Sequence, residues 1–126
     1  MNQLLLSTKY IKPKKFIGTP ANRLTQMICA YINQQDRCFA GRITSGGTYR
    51  PELQRYVFST QLRGTPDIIS CCDGKPVYIE IKIGRDKLSV YQLTMKEALE
   101  HSGAIYYIAK DYNDFQIWFD SLLTVR

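Results

Sequence analysis

Two carboxylates and a lysine fall in one short stretch, Gly64 to Lys82, which reads GTPDIISCCDGKPVYIEIK. Asp67 follows Pro66, and Glu80 and Lys82 sit two apart further on. Paired carboxylates are hard oxygen donors of the kind that suit Mg²⁺ or Mn²⁺. A lysine beside them can orient an attacking water or offset negative charge that develops on a reacting group. That chemistry requires the three side chains to meet.

The elements that would bring them together are legible in the same stretch. Pro76 to Ile83 alternates without a fault: Val77, Ile79, Ile81 and Ile83 point one way, Tyr78, Glu80 and Lys82 the other. Period two predicts a strand with one apolar and one polar face. Asp67, Ile68 and Ile69 begin the strand before it, and Asp73-Gly74 lies between the two, a turn dipeptide whose residues tolerate φ > 0. With Asp73-Gly74 as a two-residue loop, Cys72 faces Lys75, Ser70 faces Val77 and Asp67 faces Glu80. Directly opposed β-carbons lie roughly 4.5–5.5 Å apart, and Lys82 is roughly 7 Å further along the same face. Asp67 as a turn cap beside a solvated strand face is the competing interpretation. The convergence of all three residues favours a site.

Pro66-Asp67 followed by Glu80-Ile81-Lys82 resembles the PD-(D/E)xK nuclease signature, and the wider order resembles the VRR-NUC branch of that superfamily. The match runs over residues 64 to 119: Gly64 to Asp67, Glu80 to Lys82, Ser89 to Gln92 opening a helix, and Gly103-Ala104 opening a strand. The resemblance implies a restriction-endonuclease-like mixed sheet flanked by helices, in the order α-β-β-β-α-β-α. It implies Mg²⁺ or Mn²⁺ held by Asp67, Glu80 and the backbone carbonyl of Ile81, with Lys82 and Gln92 at the scissile phosphate. Small stand-alone members of the branch are mostly viral and resolve branched DNA as homodimers. The expectation is therefore an endonuclease acting on four-way (Holliday) junctions, in the cytoplasm, or the host cytoplasm if viral. The family usually carries a glutamate near the start of its first helix; here that neighbourhood reads Pro20-Ala21-Asn22-Arg23. A non-catalytic DNA-binding module that keeps the fold is the alternative which this departure supports.

Composition is compatible with that expectation. The chain has 126 residues, enough for one domain, and 44% are apolar. A formal charge of +6 suits a polyanionic partner. Cys29, Cys38, Cys71 and Cys72 form no C-x-x-C pair, and the single histidine completes no zinc pattern. Reduced, buried thiols in a cytosolic compartment are expected. No apolar run approaches a membrane span.

Residues 1 to 18 read as a basic leader ahead of a single domain from 19 to 126. Its Lys9, Lys12, Lys14 and Lys15, with Tyr10 and Phe16 among them, make either a solvated tail or a phosphate-binding arm. Thr19-Pro20 starts a helix that runs to about Gln34, with Leu24, Ile28, Tyr31 and Ile32 on its buried face and Arg23 and Gln26 within possible reach of a ligand. Cys38 to Ile43 reads as a short strand, whose Arg42 is a candidate DNA contact. After the loop 44–48, Tyr49, Arg50, Arg55, Tyr56 and Arg63 interleave aromatics and cations, with Val57 and Phe58 as anchors to the core. The segment reads as a DNA-contacting stretch that overhangs the acidic hairpin, or as an edge hairpin with ordinary surface arginines. Ser89 and Gln92 form a capping box, which explains Gln92 structurally while leaving it available for a polar contact. Gly103 ends that helix, Ala104 to Ala109 is a buried strand, and Phe115, Trp118, Phe119 and Leu122 mark an amphipathic last helix.

Overall fold

The computed structural model describes residues 15–43, 48–57 and 62–124. Lys9, Tyr10, Lys12, Lys14, most of the loop after the first strand, and Phe58 lie outside these. Helix α1 (Pro20–Gln34) starts as its sequence dictates: Thr19 is the N-cap, its hydroxyl accepts from the Asn22 N–H, and proline opens the first turn. Strand β1 (Cys38–Arg42) follows, then a hairpin of β2 (Thr48–Arg50) and β3 (Arg55–Val57). Strands β4 (Ile68–Cys72) and β5 (Lys75–Ile81) lead to helix α2 (Val90–His101), strand β6 (Ile105–Ala109) and helix α3 (Tyr112–Thr124).

Four strands form a mixed sheet in the order β1-β4-β5-β6, with β1–β4 and β4–β5 antiparallel and β5–β6 parallel; β2 and β3 form a separate two-stranded sheet. This is a mixed α/β fold. The β4–β5 turn is the expected one: Asp73 and Gly74 have φ of 54° and 79°, and Cys72 pairs with Lys75 and Ser70 with Val77.

Helices cover both faces. Leu24, Ile28 and Ile32 of α1 and Phe115 and Phe119 of α3 pack on the face formed by Cys38, Ala40, Ile68, Cys72, Val77, Ile79, Ile81 and Ala109. On the other side α2 packs on β6, and the neighbouring surface of β1 and β4 stays open, with Phe39 and Ile69 exposed. Three expectations are corrected. Strand β5 ends at Ile81 and not at Ile83: the Lys82 N–H makes the last ladder bond, to the Ala109 carbonyl at 2.9 Å, and the chain then turns away through Gly84, whose φ is 62°. The face expected to be polar is buried where it carries Glu80, which is 2% exposed. Cys71 is exposed and Cys29 half-buried, so only Cys38 and Cys72 are the buried thiols foreseen; none of the four is in a disulfide. No helix among the described residues is long and apolar enough to cross a membrane.

Candidate acid-pair site

Asp67 is held from two sides. Its carbonyl accepts from the Ile43 N–H at 2.8 Å, which prolongs the β1–β4 ladder by one step. Its Oδ2 accepts from the Ile81 N–H at 2.8 Å. The β4–β5 register pairs Ile68 with Ile79, and one step on it sets Asp67 against Glu80. The Glu80 carboxylate is likewise engaged: Gln92 Nε2 donates to Oε1 at 3.2 Å and the Tyr106 hydroxyl to Oε2 at 3.5 Å. Lys82 is half-buried at the end of the same strand, and its charge acts on Glu80.

Burial, then hydrogen bonding and repulsion from Asp67, push the Glu80 carboxyl up to about 8, against the pull of Lys82 and Tyr106. Burial and the adjacent Glu80 raise the Tyr106 phenol as well. Glu80 holds its proton more tightly in the folded chain than in the unfolded one, so protonation stabilises the fold. That contribution is complete below about pH 4.5 and is lost as the pH rises to about 8. Unfolding by denaturant in EDTA should therefore show stability declining across this window, by up to about 1.4 kcal/mol per unit. Glu80→Gln should flatten the decline; an unchanged slope in that variant would assign it to another group.

Gln92 caps its helix and also contacts the acid pair. Its Oε1 accepts from the Ser89 N–H at 2.9 Å, closing the capping box of α2, while its Nε2 reaches Glu80. The start of α2 is brought to the acid pair by Gly64. This residue has φ of 79°, and a β-carbon built on it would lie 2.3 Å from the Tyr91 carbonyl oxygen. Backbone contact that close excludes any side chain. Gly64→Ala should cost at least about 1–3 kcal/mol of stability and loosen the Gln92–Glu80 contact. A denaturant midpoint equal to wild type would show that this approach is not required. Beside it, Arg63 lies 4.8 Å from the centre of the Tyr91 ring and donates to its hydroxyl at 2.9 Å.

Several other candidate contact residues have partners within the protein. Arg42 donates to Asn22 Oδ1 at 2.7 Å, so Asn22, in the neighbourhood where the family has its glutamate, holds a guanidinium. Arg23 and Gln26 are engaged within the protein. Arg23 donates to the Gly18 carbonyl at 2.7 Å, and Gln26 exchanges two hydrogen bonds with the backbone of Ile17, so the end of the leader docks on α1. Lys15 is exposed. In the hairpin Arg50 pairs with Glu52, and Tyr49 packs edge-on against Tyr56. Tyr106 escaped the sequence reading. Alternation marks its face on β6, but only the parallel register, which pairs Tyr78 with Tyr106 and Glu80 with Ile108, brings it beside Glu80.

No protein-family model matches the chain, and no curated protein does. The resemblance to the VRR-NUC branch therefore stands on the ordered residues alone. Among the described residues no cluster of three or more His, Cys, Asp or Glu side chains is disposed to hold a metal. The expected donor set is the Asp67 and Glu80 carboxylates and the Ile81 carbonyl, with Glu80 destabilised as an anion by burial and by its acidic neighbour. It fits a Mg²⁺-type ion that keeps several waters, rather than a closed protein cage.

Proposed function

We propose that this chain is a metal-dependent nuclease with a restriction-endonuclease-like fold, and that it hydrolyses phosphodiesters in branched DNA as a homodimer. The observation that carries the proposal is the opposition of Asp67 and Glu80 at adjoining strand ends, with Lys82 two residues on. A buried Glu80 that faces a second carboxylate is an unfavourable arrangement for a merely structural strand face.

Asp67, Glu80 and the Ile81 carbonyl would hold Mg²⁺ or Mn²⁺, which when bound supplies a more acidic water and charge neutralisation at the phosphate. The chain's own residues set the geometry. The Ile81 N–H fixes Asp67, and Gln92 and Tyr106 fix the two oxygens of Glu80. Lys82 orients the attacking water and offsets negative charge on the phosphate oxygens as the new phosphorus–oxygen bond forms and the ester bond to the leaving oxygen breaks. Arg42, Arg50, Arg55, Arg63 and the leader lysines Lys9, Lys12, Lys14 and Lys15 supply backbone contacts, and Tyr49 a stacking contact to a base.

The test is incubation of purified protein with linear duplex, single-strand, flap and four-way-junction DNA in Mg²⁺, Mn²⁺ or EDTA. Cleavage in either metal and none in EDTA is expected. Binding without cleavage of any substrate in either metal would favour the DNA-binding module, the reading supported by Ala21 and Asn22 near the usual first-helix glutamate.

A further inference from the structure

The β2–β3 ribbon is built against its own stability. It belongs to no larger sheet among the described residues, and an isolated two-stranded hairpin is marginal in water. Tyr49 pairs with Tyr56 and Arg50 with Arg55. Successive pairs project to opposite faces, so one face carries two tyrosines and the other two arginines. The tyrosines touch each other, ring centres 5.4 Å apart, yet remain 50% and 63% exposed. Directly opposed like charges repel; Glu52 relieves Arg50, and Arg55 has no ion pair among the described residues. The segment that carries the ribbon is also tethered at the acid pair. It leaves β1 at Ile43 and returns at Asp67, and these two residues are hydrogen-bonded to each other at 2.8 Å.

A nucleic acid with unpaired bases answers both faces at once. Bases stack on exposed aromatic rings regardless of sequence, and phosphates neutralise the arginines. Continuous duplex offers the phosphates but keeps its base faces stacked inside the helix. An apolar protein surface would cover the tyrosines and leave the arginines unanswered, and the formal charge of +6 favours a polyanion. We propose that the β2–β3 ribbon reads unpaired bases, stacking them on Tyr49 and Tyr56 while Arg50 and Arg55 hold the adjoining phosphates. The substrate class is then DNA with unpaired bases close to the cleaved bond, such as a branch point, flap or tail. The inference rests on the nuclease proposal for what happens at that bond, but not for binding.

Binding is measured in Ca²⁺ or EDTA, so that no turnover is required. The probes are a single-stranded oligonucleotide carrying 2-aminopurine, the blunt duplex of the same sequence and a four-way junction. Single strand should bind more tightly than duplex, with a change in 2-aminopurine emission. Tyr49→Leu and Tyr56→Leu keep an apolar cross-strand contact but lose the π face. Each should weaken single-strand binding on the order of tenfold and leave duplex binding within about twofold. Tyr56→Phe should bind as wild type does, because stacking does not use the hydroxyl. Arg55→Gln should lower the slope of log affinity against log salt by about one. Leucine variants that bind single strand normally, or that lose duplex and single-strand affinity equally, would overturn the inference. So would tyrosine-dependent self-association in sedimentation without DNA, which would make the ribbon a contact between copies of the chain. Cleavage of duplex in Mg²⁺ with leucine variants that bind single strand normally would sink this inference alone. Tyrosine-dependent binding of single strand with no cleavage of any DNA would sustain it and sink the nuclease proposal alone.

Discussion

Asp67→Asn and Glu80→Gln should each lower Mg²⁺-dependent DNA cleavage by at least about a hundredfold and leave the fold in place. Altering a group that merely supports a metal ligand already costs about 10–100-fold, and these two side chains are the proposed ligands themselves. The variants should differ in stability. Glu80 holds its proton up to about 8 because it is buried and faces Asp67, so a neutral amide of the same shape suits the apo protein better than the carboxylate. Glu80→Gln should therefore be at least as stable as wild type in EDTA above about pH 8, while inactive. Stability withheld at a functional position is the usual trade at such sites. Asp67→Asn keeps an oxygen for the Ile81 N–H and should stay folded by circular dichroism. Wild-type cleavage rates in either variant, or undiminished cutting in excess EDTA, would remove the acid pair from the chemistry.

Lys82→Ala tests a different property, because a protonated lysine cannot ligate a metal. Its proposed work is done as charge develops on the phosphate or as water is aimed at phosphorus. Losing an interaction made mainly in the transition state lowers turnover more than binding. The single-turnover rate should fall on the order of a hundredfold, as for loss of one preorganised donor, while junction affinity in Ca²⁺ changes little. Lys82 also pulls the Glu80 carboxyl downward, so its removal should raise that group further and shift the alkaline decline of apo stability to higher pH. A lysine that only touched phosphate from a solvated face would give the reverse pattern: weakened binding and a wild-type rate at saturating DNA. That result would end its assignment to the chemistry.

Much of the architecture is local, and local physics made it legible. Thr19-Pro20 and the spacing of Leu24, Ile28 and Ile32 give α1 its start and its buried face. Asp73-Gly74 gives the turn, and the turn gives the register that sets Asp67 against Glu80. Ser89 and Gln92 give the capping box. Each follows from residues within a few positions of one another, where φ preferences and orphan N–H groups leave few alternatives.

What tertiary structure alone decided concerns cover and neighbours. Period two says on which side of β5 Glu80 lies, but not that α2 buries that side. The parallel partner β6 arrives through a crossover helix, so no local signal could place Tyr106 against Glu80. Gly64 carries no local sign that the α2 backbone lies against it. Gln26, a side chain free to reach a ligand on sequence grounds, is committed to Ile17. In every such case the outcome depends on which distant surface packs there, because burial, and with it the charge of a carboxylate, is a property of contacts rather than of order along the chain.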